Sequence, residues 1–277
     1  MQRAFVEIDV FTDRPYLGNP LAVVVYSEGL TTEEMQRFAN WTNFSETTFL
    51  LLPTDPEADY HVRIFTATTE LPFAGHLTLG SCHAWLAHGG IPRHAKRAVQ
   101  QCGVGLVSLQ RDVHSRLPFA APPLLRSGPL DDATFDEKAA ALGVTRDSII
   151  DAAWIDNGPG WLEVLLDSAE EVLAIKPSNT HLKIGVIGPY EIGSPAVYEV
   201  RAFLPTGGTT FEDPVTGSLN ASAAPWLIGS GRFTPPFVAS QGAALGRAGR
   251  VYISADGNGQ LRIGGDAITS VSGTVEL

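Results

Sequence analysis

The sequence predicts an α+β fold of two pseudo-symmetric halves, each wrapping strands around one central, buried helix. Three observations carry this prediction. A strand–loop–helix pattern occurs twice. VRIF (62–65) leads through a loop to Gly75-His76 and an apolar helix that holds Trp85 and ends at Gly89. VRAF (200–203) leads through a loop to Gly217-Ser218 and an apolar helix that holds Trp226 and ends at Gly229. Arg63 and Arg201 stand 138 positions apart in 277 residues, about half the chain. The run HLTLGSCHAWLAH (76–88) is apolar on nearly every face, a pattern that suits a helix surrounded by protein. Finally, 28 glycines and 19 prolines are spread along the whole chain, as many short strands and turns require.

The elements follow in order. Ala4, Val6, Ile8 and Val10 alternate with Phe5, Glu7 and Asp9, which is the period of a half-buried strand. Turns at Arg14-Pro15 and Gly18-Asn19-Pro20 precede a second strand, Leu21–Tyr26, expected to pair with the first. Thr31 and Glu34 form a capping-box signature. Met35, Phe38, Ala39 and Thr42 then fall at helical spacing and predict a helix from about Thr32 to Trp41. Asn43 to Glu46 breaks it, and strands are expected at Thr47–Leu52 and Tyr60–Thr66. The apolar helix covers Gly75 to His88 and is stopped by Gly89-Gly90.

Residues 103–125 read as strand and then as a proline-rich segment, with Pro118, Pro122 and Pro123, so a domain boundary is expected near residue 117. The first half is 1–117, with the C-terminal strand of about 266–277 added to it, and the second is 118–265. That half is expected to hold a helix at about Asp132–Leu142 and strands at Ala153–Asn157 and Leu162–Leu166. A short helix at Ser168–Ala174 and strands at Leu182–Ile187 and Tyr198–Leu204 follow. A glycine-rich loop, Thr206 to Asp213, leads to Pro214-Val215-Thr216-Gly217-Ser218 and an apolar helix running to about Leu227. Strands at Phe237–Ser240, Arg250–Ser254, Leu261–Gly264 and Ile268–Leu277 complete the chain.

Apolar residues make up 44% and charged residues 18%, a composition rich enough for a dense core. The formal net charge of −11 argues against nucleic acid and anionic lipid as partners. It still permits a small anion, provided a pocket supplies backbone N–H groups. Two cysteines, Cys82 and Cys102, are too few for a disulfide scaffold or a zinc site. The opening MQRAFVEIDVF lacks the apolar stretch of a signal peptide, and no window approaches the ~20 apolar residues of a membrane span. A cytoplasmic protein is expected.

The duplicated helix has a chemical consequence. A helix N-terminus offers N–H groups and partial positive charge. Two such tips facing each other across a domain interface would hold a carboxylate or a developing enolate. Gly75 and Gly217 stand at these tips, beside the side-chain donors His76 and Ser218. Glu46, in NFSETTF, follows the first helix and precedes an apolar strand, so a partly buried carboxylate suited to acid–base work is expected. Asp213 precedes Pro214 and a helix start, where an N-cap role and a catalytic role are both open. Glu70 and Glu212 are read as structural. No GxxxxGK[ST], HExxH, clustered Cys/His set or GxSxG is present. A reaction without metal, nucleotide or covalent intermediate is expected, and proton transfer fits what remains.

FVEIDVFTDRPYLGNPLAVV (5–24), NFSETTFL (43–50), RIFTATTELPFAGHLTLG (63–80), EDPVTGS (212–218) and QGAALGR (241–247) form five blocks. In their order and spacing these blocks resemble the PhzF-like family of phenazine-biosynthesis isomerases. The resemblance implies a diaminopimelate-epimerase-like fold, two halves each with a curved, largely antiparallel sheet around a central helix. It also implies that Glu46 is the proton-transferring glutamate, with His76 and Asp213 as the other catalytic groups. Gly75, Thr216, Gly217, Ser218 and Asn19 are expected to bind substrate, with no cofactor and no metal. Related epimerases use paired cysteines, but Cys82 and Cys102 fall outside these blocks. The chain departs from the family at Leu77, where proline is usual, and at Leu219-Asn220, both at helix starts expected to line the pocket.

The expected activity is that of a cofactor-independent isomerase moving a proton between carbons of a small carboxylate, of the trans-2,3-dihydro-3-hydroxyanthranilate isomerase type. Two alternatives are an epimerase or racemase of an amino-acid-like substrate and a non-catalytic small-anion binding protein. A homodimer is the family expectation.

Overall fold

A computed structural model describes all 277 residues. The chain separates into two compact units, one of Met1–Ala120 with Gly264–Leu277, the other of Ala121–Ile263. No helix is long and apolar enough to cross a membrane.

In the first unit, β1 (Gln2–Val10) lies between β2 (Asn19–Val24) and the C-terminal strand Ala267–Glu276, antiparallel to both. Val6 faces Val23 on one side and Ser272 on the other. β3 (Thr47–Leu51) runs parallel to β2, and β4 (Tyr60–Phe65) antiparallel to β3. β4 then bonds both the short antiparallel β5 (Glu70–Leu71) and the parallel β6 (Arg97–Cys102). β7 (Gly105–Gln110) and β8 (Phe119–Ala120) continue antiparallel. Parallel neighbours need a crossover. α1 (Thr32–Thr42) supplies it between β2 and β3, and α2 (Gly75–Ala87) between β4 and β6.

α1 begins at the expected capping box, with Thr31 Oγ1 accepting from Glu34 N–H and Glu34 Oε2 accepting from Thr31 N–H. It ends at Asn43 in the left-handed region. Met35, Phe38 and Ala39 face inward, where Phe38, Phe49 and Phe65 meet edge to face. α2 packs against β1, β2, β3, β4, β6, β8 and the C-terminal strand. Gly80 lets its backbone approach the sheet, since a Cβ there would stand 2.6 Å from Leu21 Cδ2.

The second unit contains β9 (Arg126–Pro129), α3 (Asp132–Leu142), β10 (Ile149–Asp156), β11 (Trp161–Leu166), α4 (Ala169–Ala174) and β12 (Lys183–Pro189). β13 (Tyr198–Thr206), β14 (Thr209–Asp213), α5 (Gly217–Gly229), β15 (Phe237–Gln241), β16 (Gly249–Ala255) and β17 (Leu261–Gly264) follow. β10 pairs antiparallel with β9 and β11, β11 parallel with β12, and β12 antiparallel with β13. β13 bonds the antiparallel β14 and the parallel β15, and β15 the antiparallel β16. From β10 to β16 this is the same series of parallel and antiparallel pairings as from β1 to β7. α4 and α5 make the two crossovers.

Two differences from expectation have local causes. The stretch Thr206 to Asp213 is not a loop but a hairpin, β13 turning into β14 through Gly207 and Gly208, both at positive φ. β6 was not anticipated because RAVQQC lacks a clean alternation, and its Gln100 is fully buried.

Candidate active site

In the first unit, the left-handed stop at Asn43 turns the chain out of α1 and delivers Glu46 to the mouth of β3. The β4–β5 hairpin and its following loop deliver His76 to the first turn of α2. The two meet, with His76 Nε2 3.5 Å from Glu46 Oε2 and side chains 10% and 21% exposed. That spacing is long for a hydrogen bond, but such bonds often tighten when substrate binds. The N-cap of α2 is Ala74, so no side chain caps this helix, and no acidic residue lies in its first turn. Both features suit an incoming anion.

Gly75 is required for packing. A Cβ there would stand 2.6 Å from Cζ of the buried Phe119. Asn19 is buried at the start of β2, next to a turn held by Asp9. The buried carboxylate of Asp9 accepts from the N–H groups of Leu17 and Gly18 at 2.9 and 3.0 Å.

In the second unit, Asp213 ends β14, and Thr216 is the N-cap of α5. Thr216 Oγ1 donates to Asp213 Oδ2 at 2.5 Å and caps nothing in the helix. Asp213 is thus tied to the cap residue rather than being the cap itself. Ser218 Oγ accepts from the indole N–H of Trp161 at 3.0 Å, which leaves its own proton to be donated elsewhere. The Ser218 carbonyl accepts from Asn157 Nδ2. Gln241 is fully buried and bonds both Asp213 and Thr216.

Gln241, Trp161 and Asn157 were missed by sequence reasoning. Only Gln241 lies in a block singled out there, QGAALGR. The departures at Leu77, Leu219 and Asn220 lie in the first turns of α2 and α5. All three are fully buried, Leu219 beside Gly185 and Asn220 bonded to the Thr216 carbonyl and Gln241. Cys82 and Cys102 are free thiols, and burial pushes Cys82 up to about 12 and raises Cys102, so neither forms a thiolate readily.

A family model described as "Phenazine biosynthesis-like protein" (PhzC-PhzF) matches residues 8–273, and the chain belongs to that family. It is 36% identical to "Antisense-enhancing sequence 1" of Schizosaccharomyces pombe, over 98% of each chain. It is 32% identical to the trans-2,3-dihydro-3-hydroxyanthranilate isomerase of Pseudomonas fluorescens, over 99% of each. The crystal structure of a PhzF-family phenazine biosynthesis protein from Bacillus anthracis superposes with a TM-score of 0.83, at 22% identity and full coverage of both chains.

Proposed function

We propose that this protein is an isomerase that shifts a proton between carbons of a small carboxylate by general acid–base catalysis, without a cofactor. In this reading the fold is pseudo-symmetric, and the tip of each unit's central helix offers N–H groups to an anion. Glu46 removes the proton from a carbon next to a conjugated or electron-withdrawing group and returns it to another carbon. His76 and Asp213 donate or relay protons. The N–H groups of Gly75 and Gly217, with Asn19 and Ser218, hold the substrate, and Thr216 serves the site through its bond to Asp213.

The observation that carries the reading is the approach of Glu46 to His76 at the uncapped start of α2. The full-length likeness to trans-2,3-dihydro-3-hydroxyanthranilate isomerases and the matching pairing order of the two units add support. Acid–base catalysis supplies roughly 10²–10⁴-fold, so positioning and charge stabilisation by the helix tips must supply the rest.

The test is incubation of wild type and Glu46→Gln with trans-2,3-dihydro-3-hydroxyanthranilate and with cyclic and amino-acid anions in D₂O. Deuterium uptake is followed by NMR and the double bond by ultraviolet absorption. Uptake with a spectral change is expected for wild type, and a loss of at least ~100-fold for the variant. Uptake at a stereocentre without spectral change would indicate an epimerase. Equal rates in wild type and variant would remove Glu46 from the mechanism.

A further inference from the structure

Thr216 breaks a local rule. A threonine at an N-cap normally turns its hydroxyl to accept an N–H of the first helical turn, which stabilises the helix. Elsewhere in this chain the N-caps Thr31, Asp131 and Ser168 do so. Thr216 instead turns its hydroxyl back to Asp213 Oδ2. Local rules given up in this way tend to mark functional sites.

The buried amide of Gln241 explains how the hydroxyl is held. Its Oε1 accepts from Thr216 N–H and from Asn220 Nδ2, each at 2.9 Å. Its Nε2 donates to the Asp213 carbonyl at 3.1 Å and to Thr216 Oγ1 at 2.9 Å. A backbone N–H only donates and a carbonyl only accepts, so the amide has one satisfying orientation. Thr216 Oγ1 therefore accepts a hydrogen bond from Gln241 Nε2, and its single hydrogen is directed at Asp213.

We propose that Gln241 and Thr216 form a hydrogen-bond chain that commits Asp213 Oδ2 as an acceptor and so holds the Asp213 carboxylate in place for its proton exchange with substrate. Gln241 is a positioning residue, because it acts on Asp213 through Thr216 and the Asp213 carbonyl. The catalytic part rests on the role proposed above for Asp213. The chain itself does not.

The first unit holds a counterpart that supplies a control. Gln100, buried on β6, accepts from Tyr60 Oη and donates to Thr78 Oγ1, each at 3.1 Å. Thr78 Oγ1 then donates to the Ala74 carbonyl. That chain ends on a backbone carbonyl, with no carboxylate to commit.

The experiment labels aspartate carboxyl carbons with ¹³C and assigns Asp213 by its loss in Asp213→Asn. The Asp213 carboxyl is then titrated by NMR in wild type, Thr216→Val, Gln241→Met and Gln100→Met. Loss of an O–H donor to a carboxylate favours its protonated form. The Asp213 midpoint should move upward in Thr216→Val and Gln241→Met and stay at the wild-type value in Gln100→Met. Deuterium uptake should fall at least ~tenfold in the first two. An unmoved midpoint in Thr216→Val would overturn the proposal even if Gln241→Met fails to fold, and so would an equal shift in Gln100→Met. If Glu46→Gln exchanges at the wild-type rate, the isomerase reading fails while the carboxyl titration still decides the chain.

Discussion

Glu163 on β11 is fully buried, and neither carboxylate oxygen has a hydrogen-bond partner. Gly185, opposite it on β12, leaves the space its oxygens occupy, since a Cβ at 185 would stand 2.6 Å from both. Burial holds the acid well above the usual carboxylate range. Between the unfolded and folded values the native state keeps a proton that the unfolded chain has lost. Stability therefore falls as pH rises above ~4.3, by at most about 1.4 kcal/mol per unit from this group. Glu163→Gln removes that slope. Urea unfolding should show the variant more stable than wild type at pH 8, with the gap closing towards pH 4; a gap independent of pH would exclude the explanation. At this scale the sequence marks residue types well. Glu46, His76 and Asp213 stand out as polar groups beside apolar segments. It does not mark Glu163, whose lack of a partner depends on what β12 places opposite it.

The two hairpins carry equivalent ion pairs in different surroundings. Arg63 on β4 forks onto Glu70 on β5, with side chains 22% and 39% exposed. Arg201 on β13 forks onto Glu212 on β14, 6% and 12% exposed, and donates to the Val172 and Ile175 carbonyls at the end of α4. Breaking a buried pair costs ~3–5 kcal/mol because a charge is left stranded, whereas an exposed pair is worth about 0–1 kcal/mol. Arg201→Ala should therefore destabilise by several times more than Arg63→Ala in chemical denaturation, and similar losses would contradict this. These pairs agree with the structural roles read for Glu70 and Glu212. Most elements were legible for local reasons: α1 from its capping box, α2 and α5 from all-round apolar runs, β1 from alternation. β14 was hidden by glycines that read as a loop, and β6 by the buried Gln100.

The first unit is closed by the chain's last strand. β1 bonds Ala267–Glu276 along its whole length, from Gln2 opposite Glu276 to Val10 opposite Ala267. Truncation after Ile263 should leave β1 an edge strand, still paired with β2 but open on its other side. Hydrogen exchange should rise across β1 and β2, while β10 to β13 keep their protection. Uniform loss of protection would show that the units do not respond separately.

What can be read along the chain is what depends on neighbours in sequence. That covers the order and type of most elements, the recurrence half-way along, and the chemical character of the candidate residues. Partnership across distance had to await folding. The indole of Trp161 on Ser218, the amide of Gln241 between Asp213 and Thr216, and the imidazole of His76 beside Glu46 join residues dozens of positions apart. No periodicity records those distances. They are set when burial of many apolar side chains brings the strands and crossover helices into register, and each buried polar group must then find its partner.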